Sequence, residues 1–334
     1  MVDLINKRVL YISPKFFTYE NKIKQELENL GATVDFFDDR PSNDFITKVF
    51  IRLKLKSLIK KKINEYYENI YAYILDKKYD FVFVVSPETL NFKELAKIKE
   101  LQASSQFILY MWDSFENKNS FNTIELFDKI FSFDSRDVEK YNLIFLPLFY
   151  SKEYKKKEHL SNYKYDLSFI ATAHSDRYKI SKQIRNLIAE NKLSVYYYFY
   201  LPSIIIYFIR KLFIPKYNYG KLSEFSFSSL SQDKIIDVFD NSKVVLDINH
   251  PSQFGLTMRT IECLGAEKKL ITTNKNIKNY DFYNPNNIFI IDRDNIKINI
   301  NFFENEYQSL STEIYEKYSL NSWLKTIFFN KEKK

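Results

Sequence analysis

Two hydrophobic rhythms take turns along this chain. Residues 8–13 (RVLYIS) form a continuous apolar run of strand length. Residues 21–30 instead place Ile23, Leu27 and Leu30 on one helical face, and Gly31 ends the pattern. Residues 33–37 (TVDFF) return to strand character. Strands are predicted again at 80–85, 106–112, 129–133 and 144–149, the last interrupted by Pro147, with a helix at 92–101. Strand, helix and strand joined by short connections predict an α/β domain with a parallel sheet. Residues 47–75 read as one long basic and aromatic helical region, with Val49, Leu53, Ile59, Ile63 and Ile70 as its apolar stripe.

The pattern lapses at 151–165 (SKEYKKKEHLSNYKY), which is polar and reads as a linker. It resumes with a strand at 166–171 and a helix at about 179–190. Residues 193–214 are apolar, uncharged from Val195 to Ile209 and broken by Pro202. Two readings fit. One is a strand at 195–201 followed by a buried helix. The other makes 204–213 an interfacial helix with Arg210 and Lys211 at lipid headgroups. A helix at 233–241 leads into KVVLDINHPSQFGLTMRTIECLGAEKKLITTN, residues 243–274. There a buried strand at 244–248 precedes a loop at 250–256, a helix at 257–264 and a strand at 269–273. Gly265 stands where a left-handed residue is expected to end the helix. A last strand is predicted at 287–292. Terminal helices follow at 309–329, with Tyr315, Tyr318 and Trp323 as packing residues, and the lysine tail 331–334 is predicted to be disordered.

A length of 334 residues predicts two domains, and 45% hydrophobic residues suffice for two cores. Only four glycines occur, and they spell neither G-x-G-x-x-G nor a P-loop, which disfavours dinucleotide oxidoreductases and P-loop kinases. The single Cys263 forms no internal disulfide, fits a reducing cytoplasm and reads as a packing residue. His159, His174 and His250 lack metal-ligand spacing. The net charge of +8 favours anionic partners. No nucleic-acid signature is present, so a membrane surface or anionic substrates are preferred over nucleic acid. The cluster Lys54, Lys56, Lys60, Lys61 and Lys62 reads either as a solvated face or as a surface for anionic lipid. No signal peptide is read at the start, and no apolar run is long enough to span a bilayer.

Candidate chemistry gathers at strand ends. Ligands of open α/β sheets bind beyond the carboxyl ends of the strands, where helix N-termini offer free N–H groups. Arg259 and Glu262, three residues apart, share a helix face. The bland reading is an intrahelical ion pair on a solvated face. The sharper one is a cation for a diphosphate and a carboxylate for a sugar diol. Asp113, Asp134 and Glu88 stand at or near strand ends and read either as helix or turn caps or as proton acceptors.

GLTMRTIECLGAEKKLITTN, preceded by SKVVLDINHP, resembles the donor-binding region of bacterial GT-B glycosyltransferases. The likeness is to those that build capsule, exopolysaccharide or lipopolysaccharide and carry an M-R-x-x-E helix followed by L-I-T-T. YMWDSFENKNSF, IFSFDSRDVEKYNLIFLPLFY and NYDFYNPNNIFIIDRDN extend it over most of the chain. The resemblance implies two Rossmann-like α/β domains with parallel sheets and a cleft between them. The first would span 1–150, with a C-terminal helix at 312–330 packing back on it, and the nucleotide-sugar domain would span 151–311. It implies transfer from a nucleotide-diphosphate sugar, with no metal and no further cofactor, to a lipid-linked glycan acceptor. The protein would lie in the cytoplasm, peripheral at the inner face of the membrane. Arg259 and Arg177 would meet the diphosphate and Glu262 the ribose. His250 and Gln253 would meet the donor sugar or diphosphate, Thr273 and Asn274 would close the next strand end, and Asp113 would be the base of an inverting reaction. His174 and Ser175 share the loop of Arg177. Phe254 stands where many members carry a second glutamate, eight residues before Glu262. Rival expectations are a pyruvyl or glycerol-phosphate transferase, and a catalytically silent scaffold.

Overall fold

The computed structural model describes residues 3–53, 55–115, 121–157, 162–213 and 220–330. Lys54, His159, Ile214, the middle of YMWDSFENKNSF and the tail 331–334 lie outside the described residues. The chain divides into two units, residues 1–148 with 320–334, and residues 149–319.

The first unit is built on β1 (Arg8–Ser13), α1 (Tyr19–Asn29), β2 (Thr33–Asp38), α2 (Phe45–Arg52), α3 (Lys60–Ile74), β3 (Phe81–Val85), α4 (Phe92–Leu101), β4 (Gln106–Met111), β5 (Lys129–Ser132), α5 (Ser135–Tyr141) and β6 (Ile144–Phe145). All six strands are parallel, in the order β2-β1-β3-β4-β5-β6. Side chains alternate across the pleat, so each strand feeds two layers. Leu10, Ile12, Val82, Val84, Phe107 and Leu109 pack with Ile63, Ile70 and Ile74 of α3 and Leu95 and Ile98 of α4. Phe81, Phe83 and Tyr110 meet Phe328 and Trp323 of the closing helix Leu320–Phe329.

The long helix expected at 47–75 is broken into α2, a 3-10 turn at Lys56–Ile59, and α3. The reason is visible in the stripe. Leu53 to Ile59 is a step of six residues, out of phase with a 3.6-residue period, and Leu53 is exposed. The lysines here are partly engaged: Lys62 bonds Asp44 and Thr47, Lys56 bonds the Glu88 carbonyl, and Lys61 lies 3.8 Å from Glu65.

The second unit contains β7 (Tyr165–Thr172), α6 (Arg177–Glu190), β8 (Val195–Tyr200), α7 (Ile204–Phe213), α8 (Gln232–Asp240), β9 (Ser242–Asp247), α9 (Met258–Gly265), β10 (Lys269–Thr272), β11 (Ile288–Ile290), α10 (Asn301–Glu304) and α11 (Thr312–Lys317). The closing helix of the first unit is α12. Five parallel strands run β11-β10-β9-β7-β8. Starting from β7, the order reverses between β7 and β9, which is the topological switch point of a doubly wound sheet. One face packs Leu167, Phe169, Val244 and Leu246 with Ile184 and Ile188 of α6. Helices α8 and α9 lie against β7, β9 and β10.

Three expectations change in this unit. Ser151 and Tyr154, read as linker, are buried, and Tyr154 packs on Phe239 of α8. A polar stretch thus hides one aromatic anchor. The helix after Pro202 is not a buried one: of α7 only Tyr207 is buried. Gly265 is not left-handed; Glu267 takes the positive φ, at 49°. Glycine at 265 serves close approach instead, because a Cβ there would lie 2.4 Å from Tyr150 Cγ and 2.7 Å from the Tyr154 carbonyl oxygen.

Candidate functional site

The carboxyl ends of β7, β9, β10 and β11 bring together residues distant in sequence. At the end of β9, Asp247 is buried and accepts hydrogen bonds from Thr257 Oγ1 at 2.6 Å and Thr260 Oγ1 at 2.9 Å. Thr257 in turn caps α9, accepting the Thr260 N–H. One carboxylate therefore fixes the start of α9 to the strand that precedes it.

At the switch point, Arg177 opens α6 instead of standing in a free loop. Its Nε donates to the Ile248 carbonyl at 2.6 Å and Nη1 to the Thr172 carbonyl at 3.4 Å, joining the ends of β9 and β7. Burial lowers the pKa of this guanidinium. His174 and His250 meet across the same gap with ring centroids 5.6 Å apart. Burial, with Arg177, His250 and Arg210 nearby, pushes the His174 imidazole down to about 3. His250 is exposed, and its Nδ1 lies 2.7 Å from Ser252 Oγ. The Arg177 guanidinium gives this gap its positive charge, to which the neutral His174 imidazole adds none.

Arg293, which sequence reasoning missed, fastens three segments to its own. It donates to both Asp176 oxygens at 2.7 and 2.8 Å, to the Asn249 carbonyl at 2.5 Å, to Asn249 Oδ1 at 2.7 Å and to Thr273 Oγ1 at 3.0 Å. The one signal in the sequence was a cation directly after the last apolar run, in IFIIDRD. Thr273 also donates to Asn249 Oδ1 at 2.7 Å. Asn274 caps the following 3-10 turn, and its Nδ2 donates to the Phe254 and Gly255 carbonyls. Gln253 Nε2 donates to the Gly255 carbonyl at 3.2 Å. Thr273, Asn274 and Gln253 are thus engaged in shaping the loop between β9 and α9.

Arg259 and Glu262 do pair, with Nη1 2.9 Å from Oε2, but the face is not solvated: Glu262 is buried. Arg259 lies over the Phe239 ring, 5.2 Å from its centroid, and both side chains approach Tyr154. Arg259 lies in the first turn of α9 and Glu262 one turn further in, on the helix that the β9 end positions.

In the first unit, Asp113 follows β4 and accepts the Ser114 N–H at 2.9 Å. Its neighbour Trp112 packs edge-on against Phe16 in the loop after β1. Asp134 caps α5, and Glu88 is held by Arg40 at 2.6 Å. Among the described residues no group of three or more His, Cys, Asp and Glu side chains is arranged to hold a metal ion.

No protein-family model matches the chain, and no curated protein matches it. Solved structures do. Sucrose-phosphate synthase from Thermosynechococcus elongatus aligns over 97% of this chain and 95% of its own, with 10% identity and a TM-score of 0.55. Anabaena HepE, in complex with UDP and glucose, aligns over 97% of this chain and 96% of its own, with 10% identity and a TM-score of 0.52. At such identities the likeness is one of architecture, and with the two parallel sheets it establishes the fold as GT-B, two Rossmann-like α/β units in one chain.

Proposed function

We propose that this protein is a glycosyltransferase whose nucleotide-diphosphate sugar binds at the β7/β9 switch point of the second unit. The observation that carries the reading is the gathering of Arg177, His174 and His250 at that point, beside the helix α9 that Asp247 orients. Positive side chains and a helix N-terminus there can neutralise a departing diphosphate.

In this reading Arg177 and Arg259 serve the diphosphate, and Glu262 accepts two O–H bonds from the ribose diol. His250 and Gln253 meet the sugar, while Thr273, Asn274 and Arg293 hold the loop that carries them. Asp113 is the proposed base for the acceptor hydroxyl, a role that an inverting reaction requires. The acceptor is a lipid-linked glycan of a surface polysaccharide, and the enzyme works against the inner face of the cytoplasmic membrane. No described helix is long and apolar enough to cross a membrane.

A melting panel of UDP, GDP, CDP and their sugars tests the proposal. At a hundredfold excess over Kd, a bound nucleotide adds about 2.7 kcal/mol, or roughly 5–10 °C for a unit of this size. Arg259→Ala and Glu262→Ala should abolish the shift. Wild-type melting unmoved by every nucleotide would favour the silent scaffold instead.

A further inference from the structure

Helix α7 presents an apolar face that no described residue of the second unit covers. Ile204, Ile205, Phe208, Ile209, Leu212 and Phe213 are 46–73% exposed. At about 100° per residue these six positions occupy one contiguous half of the helix. The other half is anchored. Tyr207 is buried and donates to the Gly220 carbonyl at 2.8 Å. Arg210 turns inward and donates to the Ala173 carbonyl, one residue before His174. Lys211 stays exposed beside the apolar face. The helix is therefore held with its apolar side outward, and the inward side touches the segment that enters the switch point.

We propose that α7 is a docking surface for an anionic lipid bilayer, seating the β7/β9 site at the membrane. This rests on the functional reading above and supplies the surface that a lipid-linked acceptor would require. Charge favours lipid as the occupant. From Leu193 to Phe213 the sequence has no carboxylate, and Lys211 stands exposed at the edge of the apolar face. Such a segment complements anionic headgroups while its apolar face enters the acyl boundary. Size also favours lipid over a second copy of the chain. Six side chains on one ten-residue helix fall well short of the roughly 20–30 residues per side of a stable protein interface. A self-paired α7 would bring no acidic residue to meet Lys211.

Flotation of the full chain with vesicles tests this. Wild type should float with phosphatidylethanolamine/phosphatidylglycerol vesicles and much less with phosphatidylcholine alone. The triple variant Ile205→Ser/Phe208→Ser/Leu212→Ser should lose at least ~10-fold in partitioning, and Lys211→Glu roughly tenfold on the anionic vesicles. Leu75→Ser, at an exposed apolar position of the first unit, should float as wild type does. Unchanged melting of the variants shows that they fold. No flotation of wild type, equal flotation of the triple variant, or equal affinity for neutral vesicles would overturn the proposal. So would a wild-type dimer that the triple substitution splits without any vesicle binding. Nucleotide-dependent melting of the triple variant separates the two readings. If it persists while flotation is lost, both stand; if wild type floats but no nucleotide shifts its melting, the enzyme reading alone fails.

Discussion

Arg293→Ala should destabilise the second unit selectively. The guanidinium makes five hydrogen bonds, to Asp176, Asn249 and Thr273, with 20% of its side chain exposed. Hydrogen bonds from a charged donor contribute about 1.5–3 kcal/mol each when buried. The Asp176 carboxylate is 26% exposed, so that pair is screened and contributes about 1 kcal/mol at most. The two bonds to Asn249 and the one to Thr273 share a single cation and do not add in full. A loss of about 3 kcal/mol results, or roughly 6–12 °C in Tm. Arg293→Lys keeps the charge without the planar fork and should lose about half as much. The assay is urea unfolding followed by two probes. Both tryptophans, Trp112 and Trp323, lie in the first unit, so their fluorescence reports that unit, while far-UV circular dichroism reports both. The dichroism transition should move to lower urea and the fluorescence transition much less. An alanine variant within about 0.5 kcal/mol of wild type by dichroism would refute the view that Arg293 fastens these strand ends.

Three further outcomes follow from the same geometry. His174, pushed down to about 3 by burial and by Arg177, His250 and Arg210, should stay neutral in histidine-selective NMR from pH 8 to 5. Because its folded pKa lies below the unfolded value of about 6.5, the stabilisation is complete above that pH and is lost as pH falls toward 3; His174→Asn should flatten the acid limb of stability. Gly265→Ala should cost about 1–3 kcal/mol in Tm-derived stability, because the new methyl meets the Tyr150 ring and the Tyr154 carbonyl. Cys263 is buried, and burial raises its thiol pKa well above the ordinary value. A thiol-reactive disulfide reagent should therefore label it at the rate of unfolding and immediately in urea.

Much of the fold was legible because buried parallel strands and amphipathic helices leave periodic traces. β1 and α4 have the bounds that their patterns predict. The break between α2 and α3 was also written in the chain, as the out-of-phase step from Leu53 to Ile59, but it needs phase to be counted through the stripe. α7 could not be resolved from its letters. A uniformly apolar segment fits a core or a lipid surface equally, and only the packing of Tyr207 and Arg210 shows which half faces in. Gly265 was misjudged because a glycine after a helix supplies either a positive φ or a missing side chain, and the neighbour that decides, Tyr150, is 115 positions away. The site was partly readable from its own helix. Arg259 and Glu262 share a face as i,i+3 residues must, but burial beneath Tyr154 and Phe239 is a tertiary fact. Arg293 was out of reach, since its partners lie 20, 44 and 117 residues away.

The central claim is that a nucleoside diphosphate binds at the β7/β9 switch point, beside His174 and His250. The chain has only three histidines, so a histidine-labelled sample gives a spectrum that single substitutions can assign. Titrating UDP and GDP into this sample should move the His174 and His250 signals together, with the His174 pKa rising as the anion offsets Arg177 and Arg210. Arg177→Ala should weaken that response. Saturating nucleotide binding, measured by calorimetry, that leaves both imidazole signals in place would contradict the account.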